Sequence, residues 1–166
     1  MGPGMARNTG IRHSQGTYLM FVDCDDEVEE TYVAEMVNLI KRENVDLVVC
    51  GYNRVNKNVA EKRPDKKIPI EEFYRDIKDN FYYFQSIWNK IYKTKIIKEN
   101  SITFPVNRLG EDTLFNIAYI SSITGLYNTS LCLYHYKNNE GSLTKVYYPE
   151  LFEVEKKLSE ISKWMP

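Results

Sequence analysis

Hydrophobic positions fall in two patterns along this chain, unbroken runs and a helical period, and each predicts its own elements. Residues 17–22, Thr-Tyr-Leu-Met-Phe-Val, are aromatic and β-branched with no polar interruption, which predicts a strand buried on both faces. Gly16 marks the break before it, and Asp23, Asp25 and Asp26 end it. Upstream, 5–15 can form a short helix with Gly16 just past its end. Across 29–44 the pattern changes: Val33, Met36, Val37 and Ile40 keep the i, i+3, i+4, i+7 spacing of an amphipathic helix. Residues 46–52 then read as a second buried strand. Strand, helix, strand in this order predicts a βαβ unit with a parallel pair, and an α/β fold.

Residues 53–69 are polar, with Pro64-Asp65 as a turn signal, and predict a loop or exposed hairpin. Helices are expected over 70–78 and 94–99, with 102–105 as an extended connector. Gly110-Glu111-Asp112 opens a further helix carrying Leu114, Phe115, Ala118 and Tyr119 on one side. Two short strands, 125–128 and 130–136, follow. A last helix over 150–164 has Leu151, Val154, Leu158 and Ile161 at helical spacing. With no internal repeat, 166 residues predict a single domain.

Composition removes several classes of function. A formal net charge of −1 gives no electrostatic case for nucleic acid or an anionic membrane. No apolar run approaches the roughly 20 residues of a membrane span. Two histidines, His13 and His135, argue against a zinc site. The three cysteines lack metal-ligand spacing; Cys50 and Cys132 lie inside apolar runs as small hydrophobes, and a reducing, cytoplasmic setting fits them.

The acids after the first strand are the first candidate for chemistry. A buried strand ending in three carboxylates puts negative charge at the carboxyl edge of a sheet, where ligands bind in open α/β folds. Hard oxygen ligands this close repel one another unless a divalent cation such as Mg²⁺ or Mn²⁺ lies between them. The alternative is a polar turn that caps the following helix, with Asp26 near its first turn.

Five segments in order change the balance: Gly-Met-Ala-Arg-Asn-Thr-Gly at 4–10, Asp-Cys-Asp-Asp at 23–26, Trp-Asn-Lys-Ile-Tyr at 88–92, Gly-Glu-Asp-Thr-Leu-Phe at 110–115, and Tyr-His-Tyr-Lys-Asn-Asn-Glu-Gly-Ser-Leu-Thr at 134–144. Together they resemble the family-2 glycosyltransferases of the GT-A fold, a Rossmann-like mixed sheet flanked by helices. The resemblance implies transfer of a sugar from a nucleotide-diphosphate donor to a glycan or lipid-linked acceptor hydroxyl, with inversion and assistance from Mg²⁺ or Mn²⁺. Asp23 and Asp25 match the family's D-x-D, with Asp25 the direct metal ligand and Asp23 also facing the donor. Asp112 matches the base that takes the acceptor proton, with Glu111 beside it; the alternative is a pair of acids favoured at a helix N-terminus. Arg7 and Asn8 match residues that face the nucleotide, or else lie on a polar helix face. Trp88, Asn89 and Lys90 match a segment flanking the acceptor, where a core tryptophan is the other reading. Lys137 and Ser142 fall near the diphosphate, Lys137 replacing the usual arginine and losing its bidentate geometry; His135 is either there too or a plain strand residue.

One departure matters. Members of the family begin with a β-α-β-α-β half that carries P-x-Y-N and D-D-G-S segments and holds the nucleotide. By resemblance this chain opens at the Ala-Arg-Asn helix and lacks that half, on the order of 80 residues. The expectation is an incomplete catalytic domain, cytoplasmic or peripheral at the inner face of the membrane. Its strand 17–22 would lie mid-sheet in the parent, so its exposed edge would drive self-association. The same absence makes a non-catalytic remnant or assembly module the alternative. A haloacid-dehalogenase-type phosphotransferase, which also ends a strand in D-x-D, wants Thr or Ser where Glu27 stands.

Overall fold

The computed structural model describes residues 2–77, 79–105 and 110–137. In order these form α1 (Pro3–His13), β1 (Tyr18–Met20), β2 (Glu27–Val28), α2 (Tyr32–Arg42), β3 (Leu47–Arg54), β4 (Val59–Glu61), β5 (Lys66–Pro69), α3 (Ile70–Arg75), β6 (Lys90–Lys93), α4 (Thr94–Glu99), α5 (Glu111–Ile120) and β7 (Gly125–Tyr136). The expected helix at 150–164 and Ser142 lie outside the described residues.

The strands make one mixed sheet in the order β1-β6-β3-β7-β2. β4 pairs with the far end of β3, and β5 pairs with the start of β7. The sheet follows from side-chain alternation on β3. Leu47 and Val49 face a core built with Ile11, Ile97, Phe104, Phe115 and Tyr119, while Val48 and Cys50 face one built with Tyr32, Met36 and Ile40. Helix α2 therefore closes one face, and α1, α4 and α5 close the other. The mixed α/β architecture agrees with the expectation from sequence.

Several expectations need correction. The strand predicted at 17–22 shrinks to three half-buried residues, and Val22 is 52% exposed. It pairs only with β6, antiparallel, so among the described residues it is an edge strand. The βαβ pattern also misplaced the partner. Both β1 and β3 are antiparallel to β6, so they run in the same direction without touching, and the parallel neighbour of β3 is β7. β6 was not foreseen, because Lys90-Ile91-Tyr92-Lys93 shows only two apolar residues between lysines. The two short strands expected at 125–136 are one, β7, whose register against β3 shifts around Gly51. Helix α1 runs from Pro3 and ends at His13 rather than at Gln15, with Ser14 Oγ donating to the Ile11 carbonyl. Residues 53–69 hold two strands that pair with β3 and β7 and not with each other.

Candidate active site

After β1 the chain turns sharply, Asp26 N–H donating to the Asp23 carbonyl at 3.1 Å. The turn is fastened to the end of β7. Tyr134 OH donates to Asp26 Oδ2 at 2.7 Å and accepts from Asp23 N–H at 3.1 Å. Asp26 Oδ1 accepts from Lys137 N–H at 2.8 Å. Asp26 is thus neither a helix cap nor an open ligand; both its oxygens brace the turn. Burial pushes its carboxyl above the usual range, and these hydrogen bonds partly offset that.

Helix α1 brings a cation to the same place. Arg7 Nη2 donates to Asp23 Oδ1 at 3.0 Å, and Nη1 donates to Asp112 Oδ1 at 2.7 Å and Glu111 Oε1 at 3.3 Å. One guanidinium therefore joins the acidic turn to the first residues of α5. Gly110, at the N-cap with φ 76°, makes the left-handed turn that presents Glu111 and Asp112; a side chain there would be strained. Behind the cluster lie apolar rings. Phe104 and Phe115 stack at 4.2 Å, Phe21 packs edge-on against both, and the Arg7 guanidinium lies 5.5 Å from the Phe104 ring.

Burial dominates the titration of Asp112, pushing its carboxyl up to about 7. Arg7 opposes the rise most strongly, Glu111 and Asp23 add to it, and Lys90 opposes it further. Three acids share one guanidinium, so the cluster keeps excess negative charge, which favours the protonated form of Asp112.

The structure places the other sequence-matched residues unevenly. Arg7, Asp23, Glu111 and Asp112 come together as the motif order implied. Asn8 does not reach into the cluster: its amide donates to the Phe104 carbonyl at 2.8 Å, and its Oδ1 accepts from Phe104 N–H at 2.8 Å. Trp88 is 9% exposed, stacked 4.4 Å from Tyr134 and 5.6 Å from Tyr136. Asn89 donates to the Cys50 carbonyl. Lys90 is fully buried, its ammonium donating to the Ser86 carbonyl and to Asn89 Oδ1, and burial pulls it down to about 7. The side chains of 88–90 are thus engaged with the protein interior, and the geometry offers an acceptor little of them. His135 pairs with Glu29 at 2.8 Å, and the Lys137 ammonium pairs with Glu27.

Among the described residues no group of three or more His, Cys, Asp or Glu side chains is arranged to hold a metal ion. Arg7 engages one Asp23 oxygen and the brace engages both of Asp26. The carboxylates that the sequence match offers to a cation are those of Asp23 and Asp25. The set is small but chemically apt: Mg²⁺ is commonly held by one or two carboxylates, with phosphates and water filling its shell.

Sequence reasoning missed Tyr134 and Asn116. Tyr134 lies inside a recognised motif, but nothing in the motif says that its hydroxyl ties two strand ends together. Asn116, fully buried on α5, accepts from Tyr92 OH at 2.8 Å and donates to the Phe84 and Ser86 carbonyls, fixing α5 to the segment before β6. A lone polar residue on an otherwise apolar helix face was the available signal.

Known proteins resemble this chain in sequence and in fold. Residues 1–106 match the model of glycosyl transferase family 2. The chain is 30% identical over 159 residues to glycosyltransferase GlyA of Streptococcus pneumoniae, covering 88% of this chain and 22% of that protein. It is 27% identical to the glycosyltransferase EpsH of Bacillus subtilis, whose assignment is itself putative, covering 92% and 46%. The fold matches the crystal structure of Staphylococcus aureus TarS 1–349 in complex with UDP-GlcNAc, with a TM-score of 0.79 at 23% identity, covering 96% of this chain and 46% of that one. The chain spans less than half the length of each of these proteins. With the motif order, the sheet and the family match in agreement, this chain belongs to glycosyl transferase family 2.

Proposed function

We propose that these residues form the metal and acceptor side of an inverting glycosyltransferase that uses a nucleotide-diphosphate sugar. The observation that carries this reading is the single cluster in which Arg7 joins Asp23 of the acidic turn to Asp112 of α5. A displacement with inversion needs a base on the acceptor side and charge neutralisation on the leaving-group side, and the cluster has a candidate for each. Asp112 is the base: its carboxyl, pushed up to about 7, suits proton removal from a hydroxyl near neutral pH, an effect worth about 10²–10⁴ in rate. Glu111 lies beside it on the same guanidinium. Asp25 and Asp23 would hold Mg²⁺ or Mn²⁺, which supplies positive charge to the departing diphosphate. Lys137 and Ser142 are proposed near the diphosphate. The TarS fold match holds UDP-GlcNAc in one crystal structure and UDP in another, which supports a uridine-diphosphate sugar as donor here. Relatives that include a Staphylococcus aureus poly(ribitol-phosphate) β-N-acetylglucosaminyltransferase support a polymer hydroxyl as acceptor, within the proposed glycan or lipid-linked class.

Two further parts of the reading concern setting. No helix among the described residues is long and apolar enough to cross a membrane. A cytoplasmic location, with peripheral attachment at the inner membrane face, is the proposal. The open edge of β1 borders a groove of about 470 Å³ lined in part by Tyr18, Met20, Val33 and Ile91, which supports self-association of this chain along that edge.

Titration calorimetry tests the metal role. Mn²⁺ should bind the wild-type chain weakly, more tightly with UDP present, and Asp25→Ala should abolish the heat. Identical heats for the two proteins would remove Asp25 from the site.

A further inference from the structure

Arg7 is held from behind as well as from the front. Asn8, next to it, locks α1 to the Phe104 backbone through two hydrogen bonds of 2.8 Å. Gly4, one turn earlier, lets the helix approach so closely that a Cβ there would lie 3.0 Å from Phe104 Cβ and 3.3 Å from the Pro105 carbonyl oxygen. The guanidinium is then fixed over the Phe104 ring, 16% exposed, with Nη1 turned to α5 and Nη2 to the acidic turn. Both terminal nitrogens have carboxylate partners within the protein. That is the arrangement of a side chain that organises a site, and it differs from the donor-facing role implied by the sequence match.

We propose that Arg7 is a positioning residue whose guanidinium fixes the Asp112 carboxylate against Asp23, so that the acceptor side and the metal side of the site keep one geometry. This rests on the reading of Asp112 as the base. The planar fork matters as much as the charge, because two nitrogens must engage two elements at once, and a lysine ammonium cannot reproduce that directionality.

The charge has its own consequence. The groups that face Asp112 are Arg7 from α1, Asp23 from the turn after β1, Glu111 from α5, and Lys90 and Tyr92 from β6. Burial and the two acids favour the protonated carboxyl; Arg7 and then Lys90 favour the ionised one. Removing Arg7 deletes the strongest opposing influence. Asp112 would lose at once a hydrogen-bond donor at 2.7 Å and the charge that most favours its ionised form.

The test is carboxyl-carbon NMR on the 166-residue chain, as wild type, Arg7→Met and Arg7→Lys, each checked for a dispersed amide spectrum. In Arg7→Met the titration midpoint of Asp112 should rise by about 1–3 pH units. In Arg7→Lys it should return most of the way to wild type. A second readout separates positioning from charge. Asp112→Asn should move the Asp23 resonances in the wild-type background and leave them still in both Arg7 variants. Should the Met variant fail to fold, Arg7→Gln replaces it. A midpoint unchanged in the neutral variants, or Asp23 responding equally in every background, would overturn the proposal. Neither readout needs turnover, so this failure is distinguishable from that of the base assignment, which is decided by transfer rate in an Asp112→Asn enzyme.

Discussion

Replacing Asn8 by alanine tests whether this residue, matched by sequence to nucleotide binding, is instead the pin that holds α1 in place. Its amide donates to the Phe104 carbonyl and its Oδ1 accepts from the Phe104 N–H, both at 2.8 Å, and both residues are buried. Alanine removes both partners and offers nothing in return. A buried polar group left without a partner costs about 1–3 kcal/mol, so two of them sum to about 2–6 kcal/mol. For a chain of this size each kcal/mol lowers Tm by about 2–4 °C, which places the fall at about 4 °C or more. The assay is urea denaturation followed by circular dichroism, with Thr9→Ala, on the exposed side of the same helix, as control. The midpoint should move in Asn8→Ala with the slope unchanged, and should stay in place for Thr9→Ala. If Asn8→Ala lies within about 0.5 kcal/mol of wild type, as exposed substitutions usually do, the pin is wrong and a role on the ligand side regains ground.

Two other outcomes follow from the same contacts. Tyr134→Phe keeps the ring stacked on Trp88 but removes the hydroxyl between Asp26 and Asp23, so stability should fall by about 1.5–3 kcal/mol and Mn²⁺ binding should weaken in calorimetry; unchanged values for both would dismiss the brace. Self-association along β1 should give a dimeric or larger mass by light scattering, with the outward amides of β1 protected from hydrogen exchange, and a monomer with freely exchanging amides would dismiss it.

How much of this was legible in the sequence depends on the residue. Arg7, Asp23, Glu111 and Asp112 were found because their chemistry travels with short motifs in fixed order, and the fold brings all four within reach of one guanidinium. The class of fold was legible because α2 carries a period of 3.6 and β3 an unbroken apolar run. β6 was not legible. Its Lys90 is buried and satisfied by the Ser86 carbonyl and Asn89 Oδ1, partners that no pattern of hydrophobic positions reveals. The same inward contacts explain why a segment matched to the acceptor presents so little to one. The position of β1 was misjudged for a different reason. An apolar run reports that a strand will be covered, and cannot say whether a neighbouring strand or a helix will cover it. Here α2 covers one face while the outer edge has no strand partner among the described residues.

The central claim, that Asp112 is the base of a sugar transfer, is tested most directly by turnover of Asp112→Asn in the longest gene product that contains these residues. Release of UDP from a panel of UDP-sugars is followed with acceptor present, beside donor binding by calorimetry. Asparagine keeps the size of the side chain and one acceptor oxygen for Arg7, and removes the negative charge and the basicity. Turnover should fall by about 10²–10⁴ while donor affinity stays nearly unchanged, since the lost interaction belongs to the transition state. An asparagine variant with ordinary turnover would contradict the account and leave Glu111 and Asp112 as acids that serve the N-terminus of α5.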